Sequence, residues 1–326
     1  MSDRWRIVVR RPGGPEVLER EAIGTLVPAA GELLIRHEAI GLNFAETYYR
    51  TGLYPVALPS SLGNEAAGTV EAVGADVEGF REGDRVGYFL GHNGAYATHR
   101  LISARKLVPL PSGIDPETAA AVMIKGCTAE FLIERCARIE AGQTVLVHAA
   151  AGGVGSILVS WLKSRGAIVI AHAGSAEKAR RAKALGADHA LSCAMDDLAA
   201  QVRALTGGKG VAVSLDGVGA ASWNASLASV GQRGLLVTYG NASGPVPPFK
   251  VSDLRAAGSI FVTRPALPDY LADEGEMRAS AARLFAMVTS GTIEVTIGAR
   301  YALSDVAEAH RALEARKTVG STLLIP

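Results

Sequence analysis

Along the first hundred and twenty or so residues, apolar side chains recur every second position in short runs. Three of these are Glu32-Leu-Leu-Ile-Arg-His37, Gly68-Thr-Val-Glu-Ala-Val73 and Asp84-Arg-Val-Gly-Tyr88, parted by Gly and Pro turns. A period of two sends alternate side chains to opposite faces, so each run reads as a half-buried strand, and together they predict an irregular, β-barrel-like domain. From Pro116 the pattern turns helical, in Glu117-Thr-Ala-Ala-Ala-Val-Met123 and again over 128–137, and thereafter strand-like and helix-like runs alternate. Strands are predicted from Val145, over 167–173, 190–192, 211–216 and 234–239, and over 259–263. This alternation implies an α/β fold with a parallel, doubly wound sheet of six strands. Two helices follow, over 277–290 and 304–315, before a closing strand over 321–325 that is expected to rejoin the first domain. The β-domain is then discontinuous, 1–124 with 267–326, around a second domain at 125–266.

The sharpest local feature is the passage from strand to helix at Val145-Leu-Val-His-Ala-Ala-Ala-Gly-Gly-Val-Gly155, followed by Ser156-Ile-Leu-Val-Ser-Trp-Leu-Lys163. Glycine spacing alone is weak in a chain with 37 glycines, and the flanking strand and helix supply the context that makes it specific. In such a unit the residues Ala151, Gly152, Gly153, Val154 and Gly155 let backbone N–H groups and a helix N-terminus approach a pyrophosphate, which predicts a dinucleotide site. The next strand ends at Ala173-Gly174-Ser175, eighteen residues after Gly155, where NAD-specific folds place a carboxylate for the ribose 2′-hydroxyl. With Lys178, Arg180 and Arg181 following instead, the pocket suits a 2′-phosphate, so NADPH is favoured over NADH. For Arg180 and Arg181 a solvated helix face is an equal reading.

Composition narrows the classes. The 326 residues exceed the size at which one core stops growing, which agrees with two domains. With 33 Lys+Arg against 32 Asp+Glu and no basic block, nucleic acid is not expected as a partner. No run approaches the length of a membrane span, and Met1-Ser-Asp-Arg-Trp-Arg6 lacks the apolar centre of a signal peptide, so a soluble, cytoplasmic protein is expected. Cys127, Cys136 and Cys193 are odd in number and lack metal-ligand spacing, which fits buried thiols in a reducing compartment. His148, His172 and His189 pair with no other candidate ligand at usable spacing and read as structural.

Several further segments resemble the zinc-independent, zeta-crystallin-like quinone reductases of the medium-chain dehydrogenase/reductase superfamily. They include Gly13-Gly-Pro-Glu-Val-Leu18, Gly41-Leu-Asn-Phe-Ala-Glu-Thr-Tyr48, Gly52-Leu-Tyr-Pro55, Gly63-Asn-Glu-Ala-Ala-Gly68, Lys125-Gly-Cys-Thr128, Tyr239-Gly-Asn-Ala-Ser243, Val262-Thr-Arg-Pro265 and Gly320-Ser-Thr-Leu-Leu-Ile-Pro326. The resemblance covers the whole chain. It implies a GroES-like catalytic domain, a Rossmann NADPH-binding domain, a cleft between them, and a homodimer formed through the edge strand at 259–263. It carries over Asn43 and Tyr48 to the nicotinamide end and cleft, and Tyr54 and Arg264 to hydrogen-bond or polarise a substrate carbonyl. To the cofactor it assigns Asn43, Lys125 and Thr128 near the nicotinamide, the 151–155 turn at the pyrophosphate, Gly174, Ser175 and Lys178 at the adenosine phosphate, Tyr239 and Asn241 beyond the fifth strand, and Arg316 near the C-terminus. Tyr48 and Tyr54 also read as ordinary loop aromatics, Arg264 as a domain tie, and Asn43 as the cap of a helix from Phe44, which is compatible with cofactor contact. Cys193 stands where the relatives carry a Tyr beside the adenosine ribose, which implies a thinner wall and either weaker cofactor binding or a relaxed cofactor preference.

Zinc members of the superfamily have a His ligand at the position of Asn64 and a catalytic Cys, whereas no Cys precedes residue 127 here, so no metal is expected. Alcohol oxidation is then disfavoured, since zinc stabilises the alkoxide, while a quinone becomes aromatic on reduction without a Lewis acid. A Tyr-x-x-x-Lys pair follows none of the eight tyrosines, which sets aside short-chain dehydrogenase chemistry. The expected activity is hydride or stepwise electron transfer from NADPH to a quinone, with positioning as the main catalytic device. Reduction of an enone, alkenal or enoyl thioester is the enzymatic alternative, and a non-catalytic NADPH-binding redox sensor the non-enzymatic one.

Overall fold

A computed structural model describes residues 4–90, 93–315 and 318–326. In chain order the elements are β1 (Trp5–Val9), β2 (Leu18–Ala22), β3 (Glu32–Leu42), α1 (Phe44–Thr51), β4 (Ser60–Ser61), β5 (Ala66–Val73), β6 (Arg85–Tyr88), β7 (His99–Ser103), β8 (Val108–Pro109) and α2 (Pro116–Phe131). There follow β9 (Thr144–Val147), α3 (Gly153–Ser164), β10 (Ile168–His172), α4 (Ala176–Ala184), β11 (His189–Leu191), α5 (Met195–Leu205), β12 (Val211–Asp216), α6 (Trp223–Ser229), β13 (Val230–Thr238), α7 (Val251–Ala256), β14 (Phe261–Thr263) and α8 (Leu267–Tyr270). The chain closes with α9 (Glu274–Thr289), β15 (Ile297–Ala302), α10 (Val306–Glu314) and β16 (Ser321–Ile325). Two compact units result: Met1–Lys125 with Asp273–Thr289 and Val295–Pro326, and Gly126–Ala272 with Ser290–Glu294. The second unit runs past the 266 suggested by the pattern and takes in a short return segment.

In the first unit, β3 organises the sheet. Its residues 33–40 pair antiparallel with β5, its opposite edge takes β7 at 32–36, and β16 pairs at 40–42. The closing strand thus joins the first unit, with β15 parallel beyond it. Leu33, Ile35, Ile40, Leu42, Val86, Tyr88 and Leu324 meet Val306, Ala309 and Leu313 of α10 in one core. A smaller sheet, ordered β2-β1-β4, contributes Trp5, Ile7 and Val9 to that core.

In the second unit the strands run in the order β11-β10-β9-β12-β13-β14, every pair parallel. Helices cover both faces of such a sheet, so its central strands are apolar throughout, as Val145, Leu146, Val147, Val169, Ile170 and Ala171 are. The order reverses between β9 and β12, and the crevice beyond the carboxyl ends of those strands is where doubly wound sheets bind ligands. Most elements shift by a residue or a few from the sequence expectation, and for two of them the cause is visible in the backbone. Strand β13 starts at Val230 rather than 234, because Val211 already pairs with Val230 before an irregularity in the register. Strand β14 begins only at Phe261, because Gly258 (φ 111°) and Ser259 (φ 56°) turn the chain through the left-handed region after α7.

Candidate cofactor and active site

Strand β9 delivers the chain to His148 and then to Ala149, which takes a left-handed φ of 49°. The turn is held by Ala150 N–H donating to the His172 carbonyl (3.0 Å) and Gly152 N–H to the Ala149 carbonyl (2.8 Å). Gly152 is the N-cap of α3, whose first turn of Gly153, Val154 and Gly155 carries no acidic side chain. The first amides of a helix have no partner four residues back and lie at its positive end, so this terminus is suited to an anionic phosphate. Gly155 has no alternative, because a Cβ there would lie 2.3 Å from the Ala149 oxygen.

One strand over, the chain leaves β10 past Gly174, around which a Cβ would meet nothing within 4 Å. Ser175 caps α4, its Oγ accepting from the Lys178 N–H at 3.2 Å. Lys178 is half-buried on the first turn, and the nearest carboxylate along the chain is the exposed Glu177. Cys193, half-buried beyond β11, accepts a hydrogen bond at its carbonyl from His172 Nε2 (3.0 Å). Beyond β13, Tyr239 is fixed by its N–H to the Asp216 carbonyl (2.8 Å), and burial pushes its phenol up. A Cβ on Gly217 would come within 2.8 Å of that phenol ring. The Asn241 carbonyl accepts from Gly244 N–H at 2.9 Å. These positions all lie at the carboxyl ends of the strands. Thr128 lies half-buried on α2, and Arg264 is exposed at the end of β14 with its Nη1 donating to the Pro265 carbonyl (2.9 Å). Arg316 lies outside the described residues.

In the first unit, Asn43 is the N-cap of α1 and its N–H donates to Glu46 Oε2 (2.8 Å). Its Nδ2 donates to Glu65 Oε1 (2.9 Å), and the same oxygen receives Lys125 Nζ (3.2 Å). The other oxygen of Glu65 accepts Ile124 N–H (2.8 Å). Two residues predicted at the nicotinamide end are thereby brought onto one fully buried carboxylate. Tyr48 and Tyr54 also meet, ring centroids 5.1 Å apart edge to face, with Tyr54 N–H donating to the Tyr48 carbonyl.

Glu46 and Glu65 were not among the residues singled out from the sequence. Glu46 accepts from Asn64 N–H (3.2 Å) and Asn64 Nδ2 (3.0 Å), and burial raises its carboxyl to about 7. The spacing Asn43-x-x-Glu46 before an amphipathic run was a legible signal, since it matches a helix-capping pair. Glu65 had none, because its partners are 22 and 60 positions away.

The donor set does not fit the zinc of the wider superfamily. Asn64 has its amide nitrogen on Glu46 and its Oδ1 on the N–H of Asn93 (3.2 Å). Among the described residues no three His, Cys, Asp or Glu side chains are grouped to hold an ion. The dinucleotide fits better, since Gly155 lets the start of α3 pack directly on the Ala149 and Ala150 backbone, which a Cβ would prevent, and the helix N-terminus is free of acidic side chains.

Comparison with known proteins gives a consistent picture. Residues 29–112 match the family model described as the alcohol dehydrogenase GroES-like domain, and residues 153–273 match the one described as zinc-binding dehydrogenase. The chain is 46% identical to a quinone oxidoreductase of Pseudomonas aeruginosa, over 98% of this chain and 99% of that protein. It is 38% identical to a 2-haloacrylate reductase of a Burkholderia species, over 98% of each. The crystal structure of Escherichia coli quinone oxidoreductase complexed with NADPH superposes with a TM-score of 0.96 at 41% identity, covering 99% of this chain and all of that one.

Proposed function

The chain belongs to the quinone oxidoreductases of the medium-chain dehydrogenase/reductase superfamily, and from that membership we infer that it reduces quinones with NADPH. The observation that carries this is the end-to-end match to a quinone oxidoreductase whose crystals hold NADPH, over a chain that keeps the close packing of Gly155 on the Ala149 turn. When bound, NADPH supplies the hydride. The α3 N-terminus and its glycines hold the pyrophosphate, while Ser175 and Lys178 hold the adenosine phosphate. Asn43 and Lys125, both fixed by Glu65, hold the nicotinamide end together with Thr128, and Tyr239, Asn241 and Cys193 wall the remainder. Tyr48 and Tyr54 stack and orient the quinone, and Arg264 stabilises the oxyanion that develops as the ring is reduced.

We assign the protein to the cytoplasm on its odd cysteine count. No helix among the described residues is long and apolar enough to cross a membrane. A homodimer through β14 is supported by the position of that strand at the edge of its sheet with Phe261 64% exposed. Light scattering should then report a dimer that Phe261→Glu converts to monomer.

The test of the activity is steady-state NADPH oxidation against a benzoquinone, a naphthoquinone, an enone and a trans-enoyl thioester, with NADH in parallel. The quinones should turn over fastest and NADH should be the poorer donor. The 38% identity to a 2-haloacrylate reductase favours a second reading, reduction of an activated C=C bond, and faster turnover of the enone would select it. Tight NADPH binding with no acceptor reduced would leave only a sensor role.

A further inference from the structure

A line of buried polar groups crosses the second unit at the carboxyl ends of its strands. Asp216, the last residue of β12, is fully buried and accepts at Oδ1 from Val218 N–H (2.8 Å), Gly219 N–H (3.3 Å) and Ser222 Oγ (2.8 Å). At Oδ2 it accepts from Ser222 Oγ (2.7 Å) and Ser226 Oγ (2.6 Å). Ser226 Oγ also lies 2.8 Å from His148 Nε2. A carboxylate can only accept, so the single Ser226 proton is committed to Asp216, and Ser226 must accept from His148. The imidazole is therefore the Nε2–H tautomer, with a bare Nδ1, and Nδ1 is indeed buried with no hydrogen-bond partner. Burial drives the His148 pKa down, which agrees with a neutral ring that relays rather than carries charge. On its other side His148 packs edge to face on His172 (5.8 Å between centroids), whose Nε2 donates to the Cys193 carbonyl.

His148 stands directly before Ala149, the left-handed residue whose carbonyl sets the position of Gly152 and Gly155. Val218 and Gly219 form the turn after β12, on the other side of the point where strand order reverses. One carboxylate thus tethers both loops that flank the dinucleotide crevice. We propose that Asp216 is the positioning residue of the cofactor site, holding the glycine turn through Ser226 and His148 and the facing turn through its own oxygens. This rests on the NADPH site assigned above. Asp216 and Ser226 are both buried and bonded to each other, so they act through the loops they hold. Their contribution is to keep the turn in its binding geometry before the cofactor arrives, so that little ordering remains at the moment of binding.

The variant Ser226→Ala cuts the line at one atom and leaves Asp216 with Ser222, Val218 and Gly219. With a benzoquinone as acceptor, KM for NADPH and its Kd by fluorescence titration should rise about tenfold, while kcat at saturating NADPH stays within about twofold. Val202→Ala, in the same core, serves as the control for destabilisation and should leave the Kd unchanged at a matched loss of melting temperature. Nitrogen-15 spectra of histidine-labelled wild-type protein should show His148 with its proton on Nε2, which requires no variant to fold. The proposal is overturned if Ser226→Ala binds NADPH as tightly as wild type, if Val202→Ala weakens binding equally, or if His148 carries its proton on Nδ1. A wild-type protein that takes up no NADPH removes the cofactor assignment and this proposal with it.

Discussion

Lowering the pH from 7 to 5 perturbs three buried groups of the first unit in opposing directions, and their balance can be worked out. His37 is buried with its Nδ1–H on the Ala97 carbonyl (2.7 Å) and its Nε2 accepting from Tyr88 OH (3.0 Å), and burial lowers it to about 3. His310 accepts at Nδ1 from the Arg50 guanidinium (2.9 Å), and burial followed by that charge lowers it to about 3 as well. In the unfolded chain each imidazole takes up a proton near pH 6.5, whereas the folded ring cannot until about pH 3. The unfolded state therefore binds more protons, and each histidine's contribution is complete above about 6.5 and is lost as pH falls below it, by about 2 kcal/mol at pH 5. Glu46 acts in the opposite sense. Its folded pKa of about 7 exceeds the unfolded 4.5, so the folded state holds the extra proton below 7, and acidification to pH 5 returns about 2 kcal/mol. The net of these three groups is a loss of about 2 kcal/mol between pH 7 and pH 5, to which His148 of the second unit, also held down by burial, adds in the same sense, read from urea unfolding at constant ionic strength. Histidine carbon-13 spectra over the same range should show the His37 and His310 rings not titrating. An unfolding free energy that is flat or rises toward pH 5, or ring signals with midpoints near 6.5, would refute the reasoning.

Three substitutions test other parts of the account. Gly155→Ala puts a methyl 2.3 Å from the Ala149 oxygen, about 1 Å inside contact distance, so the turn must open. Losing one phosphate hydrogen bond should weaken NADPH binding by about 10- to 100-fold in a fluorescence titration, and an unchanged Kd would remove the pyrophosphate from this turn. Glu65→Gln leaves Lys125 buried without its counter-charge and should lower stability by about 3 kcal/mol in urea, most of it recovered in the double variant Glu65→Gln/Lys125→Met. Failure of the double variant to recover would mean the pair is not the cause. Cys193→Tyr should tighten NADPH binding by thickening the adenosine wall, and equal or weaker binding in calorimetry would take Cys193 out of the site.

The parallel, six-stranded sheet of the second unit was legible because its central strands are nearly continuous apolar runs alternating with helical periodicity, the pattern of a sheet covered on both faces. The glycine turn was legible for the same reason, since its geometry depends on residues a few positions apart. The polar cross-links were not, because what makes them informative is burial, and burial is a property of the fold. Arg50, Glu65 and Asp216 look in the sequence like charges on ordinary surface positions, yet each is at most 1% exposed. For Arg50 and Glu65 the partners also lie far along the chain, Arg50 reaching His310 and Glu314 from α1, whereas the donors to Asp216 are near in sequence and only its burial sets it apart. Charged groups are left inside only where several hydrogen bonds offset their desolvation. The two carboxylates hidden from the sequence, Glu65 and Asp216, are also the ones that hold the residues read from it, Asn43 and Lys125 in one unit and the glycine turn in the other. Local spacing thus identifies the groups that meet a ligand, while the groups that set their positions emerge only from the packing.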